Sequence, residues 1–255
     1  MTKIAICGKG GSGKSTISAL LAKALEKKGY RVLIVDVDES NYGLHCHLGM
    51  DQPTELINYL GGKEQATKSI QKYYDTGDSK AIFDNAWTIG DIPGEYVTKK
   101  GGITLLAMGK IDHFGEGCAC TIGTLAKLFF NNLSLGEKDI VIADTEAGIE
   151  HLGRGIEAGF DVILVIIDPS YESIRLCKKI KEMASGNDTE TYFVLNKVDS
   201  GIVDDMLKVL DIKDVAASVP ADQGLFKASL YGKELDLNVA EVDKLAFFVE
   251  QRVNS

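Results

Sequence analysis

The chain lacks several things that would set its class at once. No apolar run approaches the ~20 residues of a membrane span; the longest near a strand is Val162 to Ile167. Residues 1–30 hold no long apolar core, because Lys9, Lys14, Lys23 and a glycine cluster interrupt it. There is no excess of basic charge: 28 Lys and Arg face 37 Asp and Glu, a net charge of −9. That argues against non-specific binding to DNA or to anionic lipid, which needs basic surface. Proline is scarce at 4 residues, whereas glycine reaches 27, which suits tight strand–helix turns better than linkers. The five cysteines are an odd number, and thiols rather than disulfides are expected. A soluble, cytoplasmic protein is expected, with neither nucleic acid nor membrane as partner.

What is present is an alternation. Short apolar runs at Lys3–Cys7, Val32–Val35, Ile103–Ala107, Ile140–Ala143, Val162–Ile167, Tyr192–Leu195 and Val215–Val219 read as buried strands. Helix-like segments fall between most of them. Ser15–Lys28 repeats apolar residues at Ile17, Leu20, Leu21, Ala24 and Leu25, a helical spacing. This pattern predicts an α/β fold: a doubly wound, mostly parallel sheet with helices on both faces. Ligands in such sheets bind beyond the carboxyl ends of the strands. One domain over 1–255 is expected, with an excursion at about 61–102. That segment is bracketed by Gly61-Gly62 and Gly101-Gly102 and holds the single Trp, Trp87. A helix and a hairpin are expected there.

Gly8-Lys9-Gly10-Gly11-Ser12-Gly13-Lys14-Ser15 fits G-x-x-x-x-G-K-S directly after a strand and before a helix. In a P-loop, backbone N–H groups from Gly10 to Thr16 curl around phosphate oxygens, and the helix N-terminus adds its dipole. Lys14 is expected to reach the β- and γ-phosphates, and Ser15 to ligate Mg²⁺. Asp36-Val37-Asp38 ends the second strand, and Asp144 ends Asp139–Ala143. A carboxylate at either place suits a Mg²⁺ shell or the positioning of attacking water. The pattern Asn196-Lys197-Val198-Asp199 taken alone suits guanine, whose N1 and N2 donors pair with an Asp carboxylate.

The second lysine of the loop, Lys9, gives K-G-G-x-G-K-S. This resembles the deviant Walker A motif of the SIMIBI class of P-loop NTPases, the MinD, ParA, nitrogenase iron protein and arsenite-pump group. The resemblance implies ATP rather than GTP, with ADP as product, and Asn196 and Lys197 at the adenine. It implies a nucleotide-gated homodimer in which Lys9 contacts the partner's nucleotide. By position, Asp38 looks like the switch I residue that orients water and Asp144 like the Walker B acid. Gly148 would let the switch II backbone approach the γ-phosphate. Pro220-Ala221-Asp222 resembles the loop that closes over the base.

Cys118-Ala119-Cys120 narrows the reading. Thiolates are soft ligands for Ni²⁺ and Zn²⁺. A closed tetrahedral site needs four ligands; one chain gives two, so a twofold dimer would complete the set on its axis. Asp144-Thr-Glu-Ala-Gly-Ile-Glu-His-Leu-Gly-Arg-Gly155 and Asp38-Glu-Ser-Asn-Tyr-Gly-Leu-His45 resemble the switch regions of the CooC and AcsF maturation ATPases. Asp168-Pro169-Ser170 fits them too. The resemblance implies a nickel metallochaperone whose client is apo carbon monoxide dehydrogenase or acetyl-CoA synthase. His45-Cys46-His47 departs from that pattern. It reads mainly as structural, as does His113; His151 reads as positioning switch II or the dimer interface rather than binding metal, and Cys7 and Cys177 read as core. Two other functions compete. A MinD- or ParA-like positioning ATPase would attach to membrane or DNA, but Glu241, Asp243 and Glu250 outnumber Lys244 and Arg252 at the C-terminal end. An iron–sulfur carrier like the nitrogenase iron protein holds its cluster with two well-separated cysteines per chain, and Cys118 and Cys120 are too close to copy that pattern.

Overall fold

Successive side chains of a strand point to opposite faces, and here both faces are apolar. Ala5, Cys7, Leu33, Val35, Val141 and Ala143 enter one core, while Ile4, Ile6, Val32, Ile34, Ile140 and Ile142 enter a second. A strand buried on both sides reads as a continuous apolar run, which is why these segments show no alternation.

The computed structural model describes residues 2–77, 82–110, 119–146, 159–184, 189–210 and 214–253. Among them, the strands are β1 (Thr2–Gly8), β2 (Arg31–Asp36), β3 (Val97–Lys100), β4 (Ile103–Ala107), β5 (Asp139–Asp144), β6 (Val162–Ile167), β7 (Glu190–Val198) and β8 (Val215–Pro220). They form one sheet in the order β3-β4-β2-β5-β1-β6-β7-β8. All neighbours are parallel except β3 and β4. The helices of a full turn or more are α1 (Lys14–Lys27), α2 (Leu44–Leu48), α3 (Lys63–Thr76), α4 (Ala119–Asn132), α5 (Tyr171–Ala184), α6 (Ser200–Leu210), α7 (Gln223–Leu230) and α8 (Ala240–Val253). Residues of α1, α2 and α8 line one core, and residues of α4, α5 and α6 line the other. The expected doubly wound sheet is therefore present.

The strand β1 lies between β5 and β6, where the winding reverses, and its register sets Ile6 beside Asp144. The β2–β5 register sets Asp36 beside Asp144. The P-loop and both acidic strand ends thus meet at one carboxyl edge, the place where such sheets hold ligands.

The excursion contains the expected helix, α3, and the expected hairpin turns at Gly101-Gly102. The hairpin's second strand is β4, so β3 becomes the antiparallel edge of the main sheet. Trp87 is buried among Tyr59, Phe83 and Phe129, with ring centroids 4.9–6.4 Å apart. A hydroxyl contact of 3.2 Å between Thr67 and Thr121 ties α3 to the first turn of α4. Burying the Phe83 and Trp87 rings is worth roughly 2–3 kcal/mol each, which binds the segment to the rest. Among the described residues, no helix is long and apolar enough to cross a membrane.

Candidate functional site

Gly13 opens α1 at φ 100, a left-handed value, and a Cβ there would lie 2.2 Å from Asn196 Nδ2. Gly8, at φ 146, would carry its Cβ 2.4 Å from the Ile166 carbonyl oxygen. The loop therefore runs where side chains cannot go. Its turn is closed by the Ser12 N–H donating to the Lys9 carbonyl at 3.1 Å. The Ser12 hydroxyl is buried with no partner, and the Lys14 side chain is buried as well. An orphan donor and a buried cation in a glycine cradle at a helix N-terminus fit a phosphate. Gly10 and Gly11 are exposed, and Thr16 sits half-buried in the first turn of α1.

The loop is braced from β7. Asn196 Nδ2 donates to the Ser12 carbonyl at 2.7 Å, and Lys197 Nζ donates to the Gly11 carbonyl at 2.6 Å. Lys197 has φ 59, unique among the described non-glycine residues, at a register shift between β7 and β8. Sequence reading ended this strand at Leu195, but it continues to Val198. The Asp199 carboxylate accepts from the Gly201 and Ile202 amides and caps α6. Asp222 caps α7 by accepting from Leu225 N at 2.8 Å, beside an exposed Pro220.

Asp144 is fully buried. Burial pushes its carboxyl above the usual range, against hydrogen bonds from Ser15 and Ser18 and the nearby charge of Lys14. Ser18 Oγ donates to Oδ1 at 3.0 Å. Asn41 Nδ2 lies 2.6 Å from Ser15 Oγ and 3.5 Å from Asp144 Oδ2. A hydroxyl and a buried carboxylate side by side are hard oxygen donors that fit Mg²⁺. Asp38 is also buried, but its Oδ1 accepts from the Ser40 amide at 2.9 Å and hydroxyl at 2.7 Å. In this arrangement it caps its own turn. The neighbouring Glu39 is held up by burial and by Glu146, whose carboxyl it meets.

Sequence reading missed Lys110. This lysine is 1% exposed, yet its Nζ donates to Asp36 Oδ2 at 2.6 Å, to the Asp38 carbonyl at 2.5 Å and to the Asn41 carbonyl. Burial pushes Asp36 up to about 7, with Lys110 as the main opposing charge. The missed signal was a lysine just past the apolar run Ile103–Met108, at a strand's carboxyl end.

Lys9 Nζ is 3.3 Å from Asp168 Oδ2 within the same chain. Burial raises Asp168, but Ser170, Ser173 and Lys9 outweigh it and hold the carboxyl low. Cys120 lies exposed in the first turn of α4 and is disulfide-bonded, whereas Cys7, Cys46 and Cys177 are free, so the expectation of thiols throughout fails at Cys120. Cys118, His113, Gly148 and His151 lie outside the described residues. Burial pushes the thiols of Cys7 and Cys177 up to about 12, as inert core cysteines require. His45-Cys46-His47 forms most of α2. Burial keeps the His47 ring below its usual range, and its Nδ1 is buried without a hydrogen-bond partner; His45 Nε2 is 3.2 Å from Cys46 Sγ. Among the described residues no group of three or more His, Cys, Asp or Glu could hold a metal ion.

Comparison with known proteins agrees with this geometry. The family described as the CobQ/CobB/MinD/ParA nucleotide binding domain matches residues 3–235. An uncharacterised ATP-binding protein of Methanocaldococcus jannaschii is 48% identical over 94% of this chain and 96% of its own. The carbon monoxide dehydrogenase accessory protein CooC of Rhodospirillum rubrum is 32% identical over 95% of this chain and 92% of its own. Among solved structures, the septum site-determining protein MinD of Pyrococcus horikoshii, complexed with Mg-ADP, superimposes with a TM-score of 0.70. It covers 98% of this chain and 96% of its own at 20% identity, which speaks to fold alone.

Proposed function

The chain belongs to the CobQ/CobB/MinD/ParA nucleotide-binding family, and within it we propose an ATP-hydrolysing metallochaperone that loads nickel into a carbon monoxide dehydrogenase or acetyl-CoA synthase. The observation that carries the metal half is Cys118-Ala119-Cys120 in a chain similar over almost its whole length to a CooC accessory protein.

Water attacks the γ-phosphorus, the bond to the β–γ bridging oxygen breaks, and ADP, phosphate and a proton leave. Little covalent work falls to the protein, so positioning and charge dominate. Backbone N–H groups of residues 10–16 hold the phosphates, and Lys14 takes the β- and γ-oxygens. Ser15 and Asp144 would hold Mg²⁺, which when bound would supply positive charge against the charge that develops on the phosphates. Asp38, once released from Ser40, would orient the attacking water. Gly148 would admit the γ-phosphate to switch II. Asn196 would meet the adenine beside Lys197, with Pro220 and Asp222 in the loop over it. Lys9 would leave Asp168 for the nucleotide of a second copy, so hydrolysis would wait on dimerisation. Cys118 and Cys120 from both copies would then bind one Ni²⁺ as cargo, with Zn²⁺ as competitor.

A positioning ATPase is the second reading, favoured by a family match whose description includes MinD and ParA. An anaerobic Ni²⁺ titration of reduced protein, with mass and metal content read together, separates the two. One metal per two chains, lost in Cys118→Ala/Cys120→Ala along with any metal-induced dimer, is expected. No thiolate-dependent metal, with nucleotide-dependent dimerisation intact, would leave a switch ATPase with another partner.

A further inference from the structure

The position expected for Mg²⁺ is already addressed by the protein. Asn41 turns its NH2 group toward Ser15 Oγ at 2.6 Å and Asp144 Oδ2 at 3.5 Å. These are the two side chains assigned above to the metal. A carboxamide NH2 presents the positive end of its dipole, so it offers them a weak form of what a cation offers.

The placement of Asn41 is over-determined. Its Oδ1 accepts from the Gly43 amide at 2.9 Å, and its own amide donates to the Asp38 carbonyl at 3.3 Å. Its carbonyl accepts from Lys110, which also grips Asp36 and the Asp38 carbonyl. The Tyr42 ring lies 5.6 Å from the same ammonium. One buried cation thus holds residues 36–42 in the shape that aims Asn41 at the site.

We propose that Asn41, positioned by Lys110, is a tethered stand-in for Mg²⁺ on Ser15 and Asp144. Magnesium–nucleotide and the switch I loop then compete for the same two oxygens. Arrival of the metal displaces Asn41, and the loop from Asp38 to Gly43 must change shape. This gives switch I a direct way to sense bound metal, where nucleotide alone leaves Asn41 in place. The inference rests on the nucleotide-binding reading of the P-loop.

The test uses the full chain and fluorescent N-methylanthraniloyl-ADP, with binding measured in EDTA and in saturating Mg²⁺. The ratio of the two dissociation constants reports how strongly the metal assists. Asn41→Ala removes the competitor, so the ratio should grow about five-fold, the worth of one such hydrogen bond, with affinity in EDTA unchanged. A ratio that is unchanged or smaller overturns the inference. Should that variant fail to fold, hydrogen exchange on the wild-type ADP complex decides: amide exchange at Asn41 and Gly43 should change when Mg²⁺ is added, and identical exchange overturns the inference. Failure of the wild type to bind ADP in either buffer is a different result, because it removes the nucleotide reading itself.

Discussion

The P-loop and switch I lie side by side at the same sheet edge but are held in unlike ways. The P-loop is fixed by its own backbone: glycines at positive φ let it curl, and Asn196 and Lys197 grip its carbonyls from outside. Switch I has no such local necessity. Its shape from Asp36 to Gly43 rests on short turns closed by the Asp38 and Asn41 side chains and on one buried ammonium that arrives from just past β4. A phosphate cradle must keep one geometry, since its N–H groups pay no reorganisation cost only if they are already aimed. A switch needs two geometries of similar energy, and a few exchangeable polar contacts provide them.

The sharpest way to break this contrast is to strike each side at its support. Gly13→Ala forces a Cβ to 2.2 Å from Asn196 and strains φ 100. It should cost on the order of 3 kcal/mol and abolish nucleotide binding, read by denaturant unfolding and by titration with fluorescent ADP. Lys110→Met should cost about as much, roughly 3–5 kcal/mol, because Asp36 is left buried without its cation.

That second loss carries a pH signature. Asp36 has a folded value raised to about 7 from an ordinary 3.8, chiefly by burial. A raised folded value means that its contribution is full below the unfolded value and is lost as pH rises through 7. Without Lys110 the folded value climbs further, so the variant keeps losing stability above pH 7 where the wild type levels off. The deficit of Lys110→Met should therefore be larger at pH 8 than at pH 5, by about 1.4 kcal/mol per unit at most. A deficit that is flat with pH would show that Asp36 does not carry it.

Asn196→Ala tests the brace from β7. It leaves the Ser12 carbonyl without its donor, at a cost of about 1–2 kcal/mol, and should weaken ADP binding by roughly ten-fold or more, through the P-loop and through the adenine contact proposed for the same side chain. Smallest of all, Asp168→Asn frees a half-exposed Lys9. The pair is worth at most about 1 kcal/mol to folding. Analytical ultracentrifugation with a non-hydrolysable ATP analogue should show dimer at lower protein concentration, and a dimer no tighter than wild type would mean that the pair does not restrain Lys9.

These differences also explain what could be read from the chain. Gly8 to Ser15 was legible because a local run of glycines and one lysine suffices to build the loop. The strands at Ile140–Ala143 and Val162–Ile167 were legible because burial on both faces demands unbroken apolar residues. Lys110 was not, because its meaning depends on Asp36 and Asn41, about 70 residues away in sequence. Asp38 was read as a water-positioning acid, and the structure has it on Ser40, a use that depends on loop conformation. The continuation of β7 through Asn196 and Lys197 was hidden by polar side chains that face the P-loop rather than a core. The edge strand β3 was hidden likewise, since Val97–Lys100 has one buried residue at its start and charged residues after it.

Under the proposed function, nucleotide state would govern metal binding. This coupling is tested most directly by the Ni²⁺ affinity of the reduced protein under anaerobic conditions, in ADP and in a non-hydrolysable ATP analogue. One Ni²⁺ per two chains is expected, with affinities that differ by at least about five-fold between the two nucleotides. Equal affinities at the same stoichiometry would contradict the coupling.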